Sequence, residues 1–247
     1  MSAPDPYPRI RTVGLEGLLV SFAPALTDAA NRAAIAFCKA VDAQDWPEVT
    51  ESASTMVSAF FRIDLVAHDP ALLVARLQDI LSRQDWMQAQ DFSGARAWTI
   101  PAVFGTAQAP QLAEFAGLAG IDEATAKRDL LSARLRVLTL GFAPGTPYLG
   151  GMPAHWNVPR QTELSRRVPR GALVAAIQQV ILFSKASPTG WRHVGQTAFH
   201  GFQPTSPVPI PLRTGDVLSF AEVSEAELAK IEASGDPMGG AECVDIA

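Results

Sequence analysis

Four arginines, Arg160, Arg166, Arg167 and Arg170, fall within eleven residues. That density suits a carboxylate, because the planar guanidinium fork matches two carboxylate oxygens at once. Arg160, fixed behind Pro159, is the best placed of the four; the other three read as solvated charges on a rim. Gln179 follows Gln178 inside an otherwise apolar run over 172–183. A buried amide must find partners, so Gln179 is either a substrate-reading group or a satisfied core residue. His155, His193 and His200 stand beside Trp156, Trp191 and Phe199. His155 and His193 are candidates to contact a ligand or move a proton, with an ordinary loop or surface histidine as the alternative. His68, just before a helix start, reads as a surface or capping residue.

Other chemistries lack their residues. No GxxxxGK[ST] run cradles phosphates, and no GxGxxG opens a helix. Two cysteines are too few for a zinc site built on cysteine pairs, and the four histidines lack HExxH spacing. No GxSxG elbow presents a serine. Cys38 sits in an apolar helical stripe and reads as a core thiol rather than a nucleophile. A net charge of −5 and a pI near 5.4 disfavour a nucleic-acid partner. No run approaches the ~18 apolar residues of a membrane span, and the first ten residues lack the apolar core of a signal peptide. Cys38 and Cys243 are not expected to pair, which fits a reducing compartment, and the expected location is cytoplasmic.

The elements that must hold these groups are interrupted by glycine and proline. Ten of the nineteen prolines lie within 141–212, where an irregular backbone is being specified. Upstream, 15–22 reads as a strand, and Thr27 caps a helix to about residue 43. Residues 56–67 read as one or two strands, and Asp69-Pro70 starts a helix with Leu73, Leu77, Ile80 and Leu81 on one stripe. The polar stretch 82–95 reads as a domain boundary. Beyond it come a strand near 98–104, helices over 110–119 and 123–134 with Asp122 as a cap, and strands over 135–142, 172–183, 194–198 and 217–220. Short strands separated by turns point to a compact barrel. Ser224 with Glu227 forms a capping box for a last helix to about residue 234, and residues beyond Gly235 read as frayed. This is an α+β organisation: an N-terminal domain over 1–95, a barrel over 96–222, and a C-terminal helix and tail over 223–247.

Several runs together carry a resemblance. GFAPGTPYLGGMP at 141–153, the Pro159-Arg160 pair, VPRG at 168–171, SPTGW at 187–191, GQT at 195–197 and TGD at 214–216 resemble the B-type subunit of bacterial 5-oxoprolinase. The wider family includes the first subunit of allophanate-hydrolase-like and urea-amidolyase-related proteins and a sporulation kinase inhibitor. The match is best over about 100–222. It implies a small N-terminal α/β sandwich domain followed by a cyclophilin-like β-barrel. It also implies a homologous barrel protein, the C-type subunit, as partner. With a third, A-type subunit, the assembly would carry out the ATP-dependent opening of 5-oxo-L-proline to glutamate. Applied to this chain, the substrate is a small carboxylate or lactam. Arg160 would hold its carboxylate and Gln179 would read its amide, with Trp191 lining the pocket and the loop carrying Gly145 and Tyr148 shaping it. His155 or His193 would move a proton. ATP enters at the level of the complex, and no metal or organic cofactor is implied.

The chain departs from the family pattern at specific places. Thr146 replaces an aromatic; a second Pro-Arg pair falls on Leu164-Ser165. A glycine-rich GGQTGIY-like run reads Ile177-Gln178-Gln179-Val180-Ile181-Leu182-Phe183. Gln196 stands where an arginine is usual, Leu130 aligns near a histidine, and Gln111 takes the place of an acid. Framework positions survive while charged ones thin out. A binding or regulatory module resembling the kinase-inhibitor branch is therefore the alternative to a catalytic component.

Overall fold

The computed structural model describes residues 6–90 and 95–246. They group into two compact units, Met1–Phe92 and Ser93–Ala247. The expected boundary stretch 82–95 includes residues 91–94, which lie outside the described residues; before them, Trp86–Gln88 forms a 3-10 turn capped by Asp85.

In the first unit, β1 (Arg9–Thr12), β2 (Gly17–Ser21), β3 (Glu51–Ser54) and β4 (Ser58–Arg62) form an antiparallel sheet in the order β1-β2-β4-β3. Helices α1 (Asp28–Asp42) and α2 (Pro70–Ser82) complete the layer pair. The two-residue period of the strands sends Leu18, Val20, Ala59 and Phe61 into one core with Phe37, Val41, Leu73, Leu77 and Ile80 of the helices. Both helix starts work as the sequence indicates. The Thr27 side chain accepts from the Ala30 N–H and that of Asp69 from the Ala71 N–H, each such cap worth about 1 kcal/mol. Cys38 is buried here, and burial pushes its thiol up to about 11. A thiol so held is a core group, not a nucleophile.

The second unit is a barrel. Its strands are β5 (Arg96–Phe104), β6 (Leu135–Leu140), β7 (Pro147–Gly150), β9 (Ala172–Ala176), β10 (Gln179–Leu182), β12 (Arg192–Thr197) and β13 (Val217–Glu222). They run β12-β9-β10-β7-β6-β13-β5, and pairing of β12 with β5 closes the ring. Inside it, Leu173, Ala175, Val180, Leu182 and Val194 meet Trp98, Ile100, Phe104 and Leu218. Helices α3 (Leu112–Ala119) and α4 (Glu123–Ser132) contribute Leu112, Phe115, Ala126 and Leu130 to the same core. A ribbon of β8 (Ser165–Val168) and β11 (Ser187–Thr189) pairs separately. Helix α5 (Glu225–Ala233) begins at Ser224, where the anticipated capping box forms in both directions.

Two expectations are corrected. The run 172–183 is a hairpin, not one strand: Ile177 and Gln178 both have positive φ, 45° and 62°, and turn the chain between β9 and β10. Two consecutive left-handed residues match the right-handed twist of a two-residue hairpin, but isoleucine is a costly choice there. The turn is held from outside: the Ile177 N–H donates to the Val158 carbonyl, that of Gln178 to the Trp156 carbonyl, and the Gln178 amide to the Met152 carbonyl. Ile177→Gly is expected to stabilise the protein by about 1 kcal/mol, strain relief exceeding the entropy cost of glycine. The urea unfolding midpoint reads it, and a midpoint unchanged or lower would show that the turn is not strained.

The second correction concerns the segment after Gly235. It ends in β14 (Glu242–Asp245), which pairs antiparallel with residues 96–99 of β5. Strand β12 covers only Ala102–Phe104 of that edge, so the remaining main-chain groups of β5 are free to pair. Gly239 anchors the return: with φ at 59°, its Cβ position lies 2.5 Å from the Ala198 carbonyl carbon.

Candidate functional site

Strands β12, β9, β10 and β7 carry an outward-facing surface opposite the barrel core. Register places His193 opposite Val174, Val174 opposite Ile181, and Ile181 opposite Tyr148. One step along, Ala176 faces Gln179. Trp191, two residues before His193, joins Val174, Ala176, Ile181 and Phe183 in a second apolar cluster, with Tyr148 packed against it. Five of the sequence candidates therefore gather on this face: Tyr148, Arg160, Gln179, Trp191 and His193.

Trp191 is the centre of the arrangement. The Arg160 guanidinium carbon lies 5.1 Å from its ring centroid, and the Tyr148 ring stands edge-on at 6.4 Å and 83°. Stacking on the indole holds a cation by about 0.5–1 kcal/mol while leaving its donors free. No acid pairs with Arg160 among the described residues, and its guanidinium makes no hydrogen bond there. The Gln179 amide is 9% exposed and has no hydrogen-bond partner among them either. Burial raises the Tyr148 hydroxyl above its usual range, against the opposing pull of Arg160, so the phenol stays protonated. An uncommitted fork and a protonated phenol beside one indole, with an uncommitted amide on the same face, can grip a planar anion with an adjacent amide.

The loop bearing Arg160 is fixed on both sides. Pro159 presents its carbonyl to Arg192 Nη1 at 2.8 Å, and Arg192 Nε donates to Glu114 of α3 at 2.7 Å. That bond holds the Glu114 carboxyl below its usual range. The Gln161 N–H donates to the Gly190 carbonyl, and its amide to the Trp191 carbonyl. Gln111 completes the brace: its Oε1 accepts from the His193 N–H at 2.9 Å, and its Nε2 donates to Gln161 and Glu114. An ionised acid at position 111 has no N–H with which to reach Gln161 or Glu114. Of these four positioning residues the sequence singled out only Gln111, and not its role, since Gln111 and Glu114 meet partners on β12 and on the loop after Val158.

Three candidates take other roles. Gly145, at φ 70°, sits so close to Gly201 that a Cβ would lie 1.9 Å from its carbonyl oxygen; it joins two backbone segments. His155 bonds Asp129 of α4 through Nε2 at 2.6 Å, and Trp156 Nε1 donates to the same carboxylate, fastening the 3-10 turn Ala154–Trp156 to that helix. His193 stays on the site face, but its Nε2 meets Gln196 Oε1 at 3.2 Å. Because Gln196 Nε2 already donates to the Arg170 and Thr197 carbonyls, the Nε2–H tautomer of His193 follows. Burial lowers its pKa, so the ring is neutral at pH 7.

The described residues thus form a closed seven-stranded barrel and a separate small α/β unit. The chain belongs to the family described as carboxyltransferase domain, subdomain C and D, whose model matches residues 8–212. It is a divergent member. The B-type subunit of 5-oxoprolinase from Escherichia coli O157:H7 is 31% identical over 182 residues, which are 73% of this chain and 81% of that one. Among solved structures, the protein TTHA0988 superposes with a TM-score of 0.71 at 23% identity, over 87% of this chain. The urea amidolyase of Kluyveromyces lactis gives a TM-score of 0.71 at 18% identity, over 96% of this chain. This chain spans only 40% of the first structure and 16% of the second. These two likenesses concern the fold. Among the described residues, no helix is long and apolar enough to cross a membrane.

Proposed function

We propose that this chain is the B-type component of an ATP-dependent complex that hydrolyses an amide or lactam of the 5-oxoproline type. The observation that carries the reading is the Arg160 guanidinium, stacked on Trp191 and free of any acid among the described residues. A small lactam carboxylate matches what surrounds it. Its carboxylate would take the guanidinium fork, its ring would lie against the indole, and its amide would meet Gln179, with Tyr148 as a further donor. ATP would be consumed across the assembly, with homologues of the A-type and C-type subunits as partners. Because its Nε2–H is engaged by Gln196, His193 would position rather than exchange protons, and His155 is committed to Asp129.

The second reading, a binding or regulatory module, draws on the same observation. His193 has its Nε2 on Gln196, and His155 lies against Asp129 of α4, so among the described residues the groups on this face serve binding before proton transfer. Co-expression with homologues of the A-type and C-type subunits, followed by an assay of 5-oxoproline-dependent ATP hydrolysis, separates the two. Assembly with turnover is the expected outcome. Assembly without turnover would favour the module, and failure to assemble would overturn the enzymatic reading.

A further inference from the structure

The barrel unit has a polar cavity that shares no lining residue with the Trp191 face. It is a cleft of about 310 Å³ between the turn before β9, the segment after β12 and the end of α5. Its lining brings the basic Arg170 and His200 together with the acidic Glu232 and Asp236, beside Thr197 and Ala198. The side chains of Arg170 and Glu232 make no ion pair or hydrogen bond among the described residues, although both line the same small space. Each is anchored: the Arg170 carbonyl accepts from Gln196, and Glu232 lies in the last turn of α5. Asp236 is fixed by accepting from the Met238 and Gly240 N–H groups. The carbonyl end of α5 adds negative potential beside Glu232. His200, held through its N–H on the Pro237 carbonyl, feels the fields of both Arg170 and Asp236.

We propose that this cleft binds a small zwitterion of the α-amino acid class, its carboxylate on Arg170 and its ammonium on Glu232 and Asp236. Simple anions would face two carboxylates, and simple cations would face a guanidinium. A dipolar ligand satisfies both charges of the lining, and about 300 Å³ is enough for a small molecule. This inference does not depend on chemistry at the Trp191 face.

The test is titration of the purified full chain with glycine, L-alanine and L-glutamine, each compared with its N-acetyl and its amide derivative. Binding is read by calorimetry and by amide chemical shifts. At least one free amino acid is expected to bind, with shifts centred on Arg170, His200 and Asp236. Its two capped forms, and the variants Arg170→Gln and Glu232→Gln, should each bind at least about tenfold more weakly. Both side chains are exposed and unpaired, so the variants should fold, and a thermal melt checks this. The proposal is overturned if none of the three amino acids binds at millimolar concentration, if capped and free forms bind equally, or if the shifts map elsewhere.

Discussion

Asp216→Ala is expected to lower the unfolding free energy by about 3–5 kcal/mol, the cost of removing one partner from a buried ion pair. Asp216 is 2% exposed, and its carboxylate accepts from three residues. Arg96 approaches with Nε at 3.1 Å and Nη2 at 2.6 Å, Trp98 Nε1 donates at 3.0 Å, and the Arg213 N–H at 2.9 Å. Arg96 also donates to the Pro211 carbonyl. One carboxylate thus joins the start of β5 to the turn leading into β13. Without it, a guanidinium and an indole N–H would lose their acceptor in a nearly dry site, and that uncompensated polarity is the dominant cost. Asp216→Asn should cost less, because its carbonyl oxygen still accepts. Chemical denaturation of the three proteins measures the difference; a loss for Asp216→Ala below about 1 kcal/mol would mean that water replaces the carboxylate at little cost.

Arg160→Gln is expected to weaken apparent affinity for 5-oxoproline by about ten- to a hundredfold in the reconstituted assembly, since hydrogen bonds to charged groups contribute about 1.5–3 kcal/mol each. Arg160→Lys should recover only part of this, because an ammonium is a point charge and cannot form the bidentate pair. The unfolding midpoint should hardly move, as Arg160 is exposed and its guanidinium rests on the indole face without an ion pair among the described residues. KM and kcat both unchanged in Arg160→Gln would remove Arg160 from the site. A fall in kcat with KM constant would give it a different role, acting on the reaction rather than on binding.

What could be read from the sequence followed the reach of each interaction. Helix starts at Thr27, Asp69, Asp122 and Ser224 were legible because a cap and the N–H that donates to it lie within three residues. The hairpin tip at Ile177-Gln178 was not, because neither residue carries a turn signal; the neighbouring Trp156–Val158 segment imposes the turn. Strand β3 escaped notice since Glu-Ser-Ala-Ser has little strand propensity and relies on β4. In the site, Arg160, Gln179 and Trp191 stood out by residue type and by the family resemblance. Gln111 stood out only as a departure from the family pattern, and its brace with Glu114, Gln161 and Arg192 did not, since it exists only once α3 meets β12.

Strand β5 opens the barrel unit, yet it is paired wholly with segments made much later: Gly195 opposite Phe104, Val217 beside Ala97, and Asp245 opposite Arg96. No hairpin protects β5 as it leaves the ribosome, and long-range pairing of this kind is slow. During synthesis a nine-residue strand with Trp98, Ile100, Val103 and Phe104 waits exposed, a state prone to aggregation. The last strand of the unit therefore acts in time as well as in space, since its arrival ends the interval in which β5 is open to other chains.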